Sequence, residues 1–331
     1  MEPAMTQWSF NRDAIDTFHF RRCAFDARTG VAQLVYAFDD GPELVETITL
    51  PGAPLALDDA RRDTCERALR LLHLVAGVSY YKAAVPARIA IDAYAIDADT
   101  AALLQTIYVN GLGEFAYRNG LDLHGRIVFP ALEPSPSRGG LGGDGGASGA
   151  LGTRIDHHPH PSPSGQRLGV GAAVDTRQWR VGVDPRPLEG EGGRHLAGVG
   201  AKHIEGEGGD PRALVAIGGG KDSLVSIEAL RDAGLQPTVT WIGGSQLIAA
   251  CAARTGLPTL NIGRQLAPEL FDFNRAGAWN GHIPVTAVNS AILVFAACVL
   301  DFGHVVFSNE RSASYGSIIE GTGEVNHQWS K

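Results

Sequence analysis

Residues 213–223 read Ala213-Leu214-Val215-Ala216-Ile217-Gly218-Gly219-Gly220-Lys221-Asp222-Ser223. The apolar run has the length and composition of a buried strand, the glycines give the backbone a sharp bend, and the polar residues after them open a helix. Around this unit the chain alternates. A helix is expected over 222–233, closed by Gly234, then a strand over 237–242, a helix over 245–255 closed by Gly256, and a strand over 259–262. A longer apolar helix over 284–300 and a strand over 304–307 complete the series. Strand and helix in alternation predict an α/β fold, a parallel sheet with helices on both faces and a ligand crevice at the carboxyl ends of the strands.

The grammar before this region is different. Strand-like runs at 18–26, 31–38 and 43–50 are separated by Ala27-Arg28-Thr29-Gly30 and Asp39-Asp40-Gly41-Pro42, both turn sequences, and make a three-stranded meander. Helical stripes follow at 58–78, with Cys65, Leu69 and Leu72, and at 99–117, with Leu104, Tyr108, Leu112 and Phe115. Residues 1–134 are thus expected to form a smaller α+β domain and 211–331 the α/β domain, with a linker and loop insertion over 135–210. Within that stretch, 19 of the 35 residues at 135–169 are Gly, Pro or Ser, too few apolar groups to offset the entropy of ordering.

The 331 residues carry 36 acidic and 28 basic side chains, a formal net charge of −8, and contain no dense Lys/Arg run. General binding to nucleic acid by phosphate neutralisation is therefore disfavoured, although one local site can still oppose the global sign and hold a small anion. Four widely spaced cysteines, Cys23, Cys65, Cys251 and Cys298, suggest neither a zinc knuckle nor a disulfide scaffold and fit a reducing compartment. The N-terminus lacks the pattern of a signal peptide, and the longest apolar run, 291–300, is ten residues, about half of a bilayer span. A cytoplasmic protein without membrane contact is expected.

The glycine bend suits phosphate, because free amides at a helix N-terminus meet an anion with a favourable dipole; equally, three glycines before a helix can be only a tight turn. Lys221 can neutralise charge, Ser223 can donate its hydroxyl, and Asp222 can cap the helix or help hold magnesium. Spacing excludes two loops: Val215 and Asp222 stand where a Walker A loop needs Gly and Ser/Thr, and Ser223 where a dinucleotide fingerprint needs Gly. The residues that remain resemble the PP-loop of ATP pyrophosphatases, Ser-Gly-Gly-x-Asp-Ser, with Gly218 in place of the first serine. That resemblance implies ATP cleaved between its α and β phosphates, pyrophosphate held by the loop, and AMP transferred to a substrate oxygen.

Two polar stretches sit at element ends: Asn280-Gly281-His282-Ile283-Pro284-Val285-Thr286 before the long helix, and Ser308-Asn309-Glu310-Arg311-Ser312 after the last strand. His282 can carry a proton near neutral pH and Arg311 can clamp a carboxylate or phosphate; equally, the histidine can be structural and Asn309 and Glu310 can simply end a strand. Asp156-His157-His158-Pro159-His160 has no acidic or thiol partner at metal-binding spacing. Cys251 and Cys298, which would suggest a two-thiol racemase, both fall in apolar helical patterns where a thiol is usually packing.

These stretches, with the 18–50 meander and residues 321–329, resemble the MurL family of ATP-dependent UDP-N-acetylmuramoyl-L-alanyl-L-glutamate epimerases of peptidoglycan precursor synthesis. The resemblance implies inversion of a terminal L-glutamate to D-glutamate through an acyl-adenylate, with ATP and magnesium consumed or required and a functional link to an L-glutamate-adding muramoyl ligase. It implies nucleotide binding by Gly218, Gly219, Gly220, Lys221, Asp222 and Ser223, with magnesium at Asp222. It implies catalytic roles among Lys221, His282, Glu310 and Arg311, and substrate contacts from Asn280, Asn309 and Ser312. The family continues beyond Lys331, so a truncated form is expected. Another PP-loop adenylating enzyme, for amidation or sulfuration, and a non-catalytic ATP-binding regulator are the alternatives.

Overall fold

A computed structural model describes residues 8–132, 173–175, 210–309, 317–318 and 325–326. The N-terminal half runs β1 (Thr17–Asp26), β2 (Val31–Phe38), β3 (Leu44–Thr49), α1 (Asp59–Ala76), α2 (Val78–Tyr81), β4 (Arg88–Ile91), α3 (Ala98–Gly111) and α4 (Gly113–Asn119). After it come β5 (Ala173–Asp175), β6 (Arg212–Ala216), α5 (Lys221–Asp232), β7 (Gln236–Ile242), α6 (Gln246–Arg254), β8 (Thr259–Gln265), α7 (Glu269–Arg275), α8 (Val285–Leu300), β9 (His304–Val306), β10 (Ser317–Ile318) and β11 (Val325–Asn326). The meander forms as expected: β1–β2 and β2–β3 are antiparallel, and the first turn is tied by Asp26, whose carboxylate accepts the Arg28 amide at 2.9 Å.

In the C-terminal half β6 pairs parallel with both β7 and β9, and β7 with β8, giving the order β8-β7-β6-β9. Alternate residues of these strands enter different cores, as the period of two requires. Val215, Val239 and Val306 pack with Ile227 of α5 and Ala252 of α6, while Leu214, Ile262 and Val305 pack with α8. Helices therefore cover both faces, and the α8 face is the deeper one. Val288, Ala291, Ile292, Phe295 and Val299 are among its buried residues, so the apolar run is a helix enclosed by protein, and no described helix is long and apolar enough to cross a membrane.

What the local pattern did not reveal is how the halves meet. Thr259–Ile262 of β8 pair parallel with β7, and the strand's remaining residues pair antiparallel with β3, Thr47 opposite Gln265 and Thr49 opposite Gly263. One nine-stranded sheet, β4-β1-β2-β3-β8-β7-β6-β9-β5, thus runs through both halves. Beside this junction Glu46 of β3, fully buried, accepts the Arg264 Nε–H at 2.7 Å, and Arg264 also donates to the Ser79 hydroxyl at 3.0 Å. Burial pushes the Glu46 carboxyl above the usual range, and the Arg264 charge pulls it back. On the helical layer α1 packs directly on α8.

The helix expected over 99–117 is two helices, because the chain turns at Leu112 between α3 and α4. The short α2, β4 and α7 lie in segments without a long periodic signal, and the 135–210 stretch, apart from residues 173–175 and 210, lies outside the described residues.

Inside the N-terminal core His73 is fully buried against Phe20 and Tyr36. Its Nε2 faces the Val35 carbonyl at 3.0 Å and must carry the hydrogen there, which leaves Nδ1 to accept from the Tyr94 hydroxyl at 2.8 Å. Burial lowers its pKa from 6.5 to about 4. Above pH 6.5 both folded and unfolded chains hold it neutral; below, only the unfolded chain takes the proton. Stability measured by urea titration should fall between pH 6.5 and about 4, by on the order of 2–3 kcal/mol from this group, and the fall should be largely absent in His73→Leu. Arg264→Met, which strands the Glu46 carboxylate, should cost about 3 kcal/mol or more in the same titration.

Candidate functional site

Strand order reverses at β6, which has β7 on one side and β9 on the other, with α5 after β6 and α8 before β9 on opposite faces of the strands, and such a point leaves a crevice outside their carboxyl ends. A cleft of about 300 Å³ lies there. Its floor is Ala216 and Ile217, one wall is the bend with Gly218, Gly220, Asp222 and Ser223, and the other is Thr286 and Asn289 of α8 with Phe307, Ser308 and Asn309 after β9. The volume is at the lower end of small-molecule sites.

Helix ends explain the polarity of this cleft. The longer helices α1, α3 and α6 are capped by Asp58, Asp97 and Ser245, whose side chains accept amides of the first turn. α5 and α8 begin at Gly220 and Pro284 with no side-chain cap. Asp222 and Ser223 of α5 and Thr286 of α8 line the cleft, so two positive dipole ends converge on it, a setting that favours an anion. A Cβ added at Gly218 or Gly220 would meet nothing within 4 Å, so glycine there keeps the cleft open and the backbone approachable. Gly219 is required for another reason, a φ of 86°. These features fit a phosphate chain. Thr240, in register with Ala216, has a fully buried hydroxyl without a partner among the described residues and does not line the cleft.

Of the side chains expected to hold nucleotide, Asp222 reaches the cleft wall half-exposed, 3.6 Å from the Lys221 ammonium. The Lys221 side chain is 80 % exposed, on the first residue of α5 beside the cleft. The Ser223 hydroxyl turns back and donates to the Gly220 carbonyl at 3.0 Å, so it braces the bend; meeting a ligand would require rotation. Ser308 donates to the Ser226 hydroxyl at 2.7 Å, tying the end of β9 to α5 across the cleft.

The 280–286 stretch divides. Thr286 lines the cleft, whereas Asn280 is engaged elsewhere, its Oδ1 accepting Lys82 Nζ at 3.1 Å and the Gly281 amide at 2.9 Å. Nε2 of His282 is buried and without a hydrogen-bond partner among the described residues. Asn309 is at the cleft; Glu310, Arg311, Ser312, the 321–324 and 327–329 parts of the C-terminal motif and the 156–160 histidine cluster lie outside the described residues, among which no three His, Cys, Asp or Glu gather as a metal site. Cys251 and Cys298 are packing thiols on opposite faces of the parallel strands, and burial raises Cys298 to about 11. Two residues escaped the sequence reading. Asn289 had a signal, a polar group one turn beyond Thr286 in an otherwise apolar helix; Lys82 had none, since its relation to Asn280 spans 198 residues.

Residues 9–140 and 195–331 match the family model described as MurL N-terminal domain. The chain is 57% identical over 323 residues to a protein of Xanthomonas oryzae pv. oryzae named UDP-N-acetyl-alpha-D-muramoyl-L-alanyl-L-glutamate epimerase, covering 98% of this chain and 57% of that protein. Proteins of the same name from Micromonospora sp. and Salinispora tropica are each 37% identical over 320 and 322 residues, covering 96% of this chain and 57% and 56% of theirs. The chain thus spans little more than half the length of these relatives. No solved structure matches it.

The bend makes a stability prediction that needs no ligand. Gly219→Ala should cost about 1–2 kcal/mol in a urea titration, because its φ is positive, while Gly218→Ala should leave the midpoint nearly unchanged.

Proposed function

The chain belongs to the MurL N-terminal domain family, and from that premise we propose that it carries the ATP-activating site of an epimerase that converts the terminal L-glutamate of UDP-N-acetylmuramoyl-L-alanyl-L-glutamate to D-glutamate. The observation that carries the reading is the uncapped start of α5 behind three glycines, opening into the cleft at the strand switch point. PP-loop chemistry needs that arrangement, and the strand order β8-β7-β6-β9 is compatible with it.

The reaction explains why activation is needed. Removing a Cα proton beside a free carboxylate places a second negative charge on an anion, so the carbon is very weakly acidic. ATP supplies the AMP group that turns the α-carboxylate into an acyl-adenylate, whose carbonyl can accept the carbanion's electrons; reprotonation on the other face and hydrolysis give the epimer.

In this reading the amides of Gly218, Gly219 and Gly220 grip the pyrophosphate half, and Lys221 is assigned to neutralise developing charge. Asp222 is the residue suited to magnesium, being the only carboxylate among the described residues lining the cleft. Thr286, Asn289, Ser308 and Asn309 give the opposite wall neutral hydrogen-bonding groups, suited to sugar or amide portions of a ligand. Arg311 and Ser312 are assigned to substrate carboxylate and polar contacts, and His282 and Glu310 are the groups proposed to move the Cα proton. A cytoplasmic setting and a muramoyl ligase that adds L-glutamate complete the proposal, because that ligase would supply the substrate.

The test is incubation of the chain with ATP, magnesium and the UDP-muramoyl dipeptide, followed by pyrophosphate assay and chiral analysis of glutamate released by hydrolysis. Pyrophosphate and D-glutamate should appear together, and Asp222→Ala should slow both by about 100-fold or more. Pyrophosphate formed with some other acid, with glutamate remaining L, would instead identify a different adenylating enzyme. Saturable ATP binding without pyrophosphate release would identify a regulator.

A further inference from the structure

Lys82 follows α2 in the N-terminal half and is 7 % exposed, yet its ammonium faces no carboxylate among the described residues. Its partners are neutral: Asn280 Oδ1 at 3.1 Å and the Trp279 carbonyl at 3.5 Å. Burial alone lowers its pKa. A buried charge without a counter-charge is costly, and a neutral side chain of the same length would fill the space more cheaply. What the charge gains is a hold on one segment.

That segment, residues 279–284, is fastened to the N-terminal half at several further points. The Trp279 amide donates to the Ala83 carbonyl at 2.9 Å, and Asn119 Nδ2 donates to the Asn280 carbonyl at 3.2 Å. Pro284 sits so close over Gly111 that an added Cβ would lie 2.6 Å from its ring. Immediately beyond, α8 begins, and its first turn brings Thr286 and Asn289 to the cleft. Within the segment, His282 buries an Nε2 that has no partner among the described residues, the condition of a polar atom that a ligand group would satisfy.

We propose that Lys82 is a positioning residue of the site: through Asn280 it fixes the 279–284 segment, and with it His282 and the α8 wall, in the arrangement that receives the acid substrate. The N-terminal half then shapes the substrate side of a cleft whose phosphate side belongs to α5. This rests on the epimerase reading for its substrate, though the mechanical part stands without it.

The experiment compares Lys82→Met, Lys82→Arg and Asn280→Ala in the full chain. Steady-state assays on Lys82→Met should show KM for the UDP-muramoyl dipeptide raised at least tenfold with KM for ATP nearly unchanged, and Lys82→Arg should recover most of the loss. Hydrogen exchange of the 285–289 amides should quicken at least tenfold in Lys82→Met and Asn280→Ala, with no further increase in the double variant and no increase in Lys82→Arg. A KM for the dipeptide that stays put, or equal losses against both substrates, overturns the proposal. If wild type shows no epimerisation, the functional reading fails and exchange alone decides the mechanical claim: unchanged 285–289 rates in both single variants overturn it. Asn280 is exposed, so Asn280→Ala keeps the test available should Lys82→Met not fold.

Discussion

Everything in this molecule turns on β8 serving two partners. Its first residues extend the parallel strands and its last residues extend the meander, so the two halves share hydrogen bonds across a single strand. Such a junction cannot be left to backbone pairing alone, because a slip by one residue would turn every side chain of the strand to the wrong face. The Glu46–Arg264 pair fixes the register chemically. A buried carboxylate and guanidinium held at 2.7 Å are weak evidence of net stability, but they make any other register leave charges unpaired. With that register set, α1 lies on α8 and the segment before α8 falls within reach of Lys82 and Asn119.

A second constraint is electrostatic. A chain of net charge −8 has no global attraction for an anion, so affinity must be local. On the proposed reading the cleft does this with few full charges: the starts of α5 and α8 lack side-chain caps, and the glycine bend leaves the backbone before α5 approachable. Lys221 adds a positive charge on the first residue of α5. A site of the proposed kind discriminates by geometry, since dipole and amide interactions fade within a turn of the helix end. The same economy accounts for the thiols: Cys251 and Cys298, with the parallel strands between them, have no shared site at which to act as a pair.

The elements with strong period were legible from the chain itself. β2 falls on the expected 31–38, and α5, β7, α6 and α8 begin and end within two residues of expectation, because Gly234, Gly256 and Pro284 punctuate them and burial selects their apolar residues. The glycine bend was legible for the same reason, since only an open backbone at a helix start explains three glycines followed by Lys, Asp and Ser. Less was legible where a residue's role depends on a distant neighbour. Asn280, for one, accepts from Lys82, 198 positions away, and no local pattern carries that contact.

What the sequence by itself determined is local: period, punctuation and composition specify strands, helices and the open bend, because each depends on residues a few positions apart. Only the tertiary structure decided that one sheet unites the halves, that α8 is enclosed, and that a lysine near the end of α2 holds the segment leading to the cleft. Those facts arise from register and close packing between distant residues, 198 positions apart for Lys82 and Asn280 and 218 for Glu46 and Arg264, and no nearest-neighbour pattern carries that information.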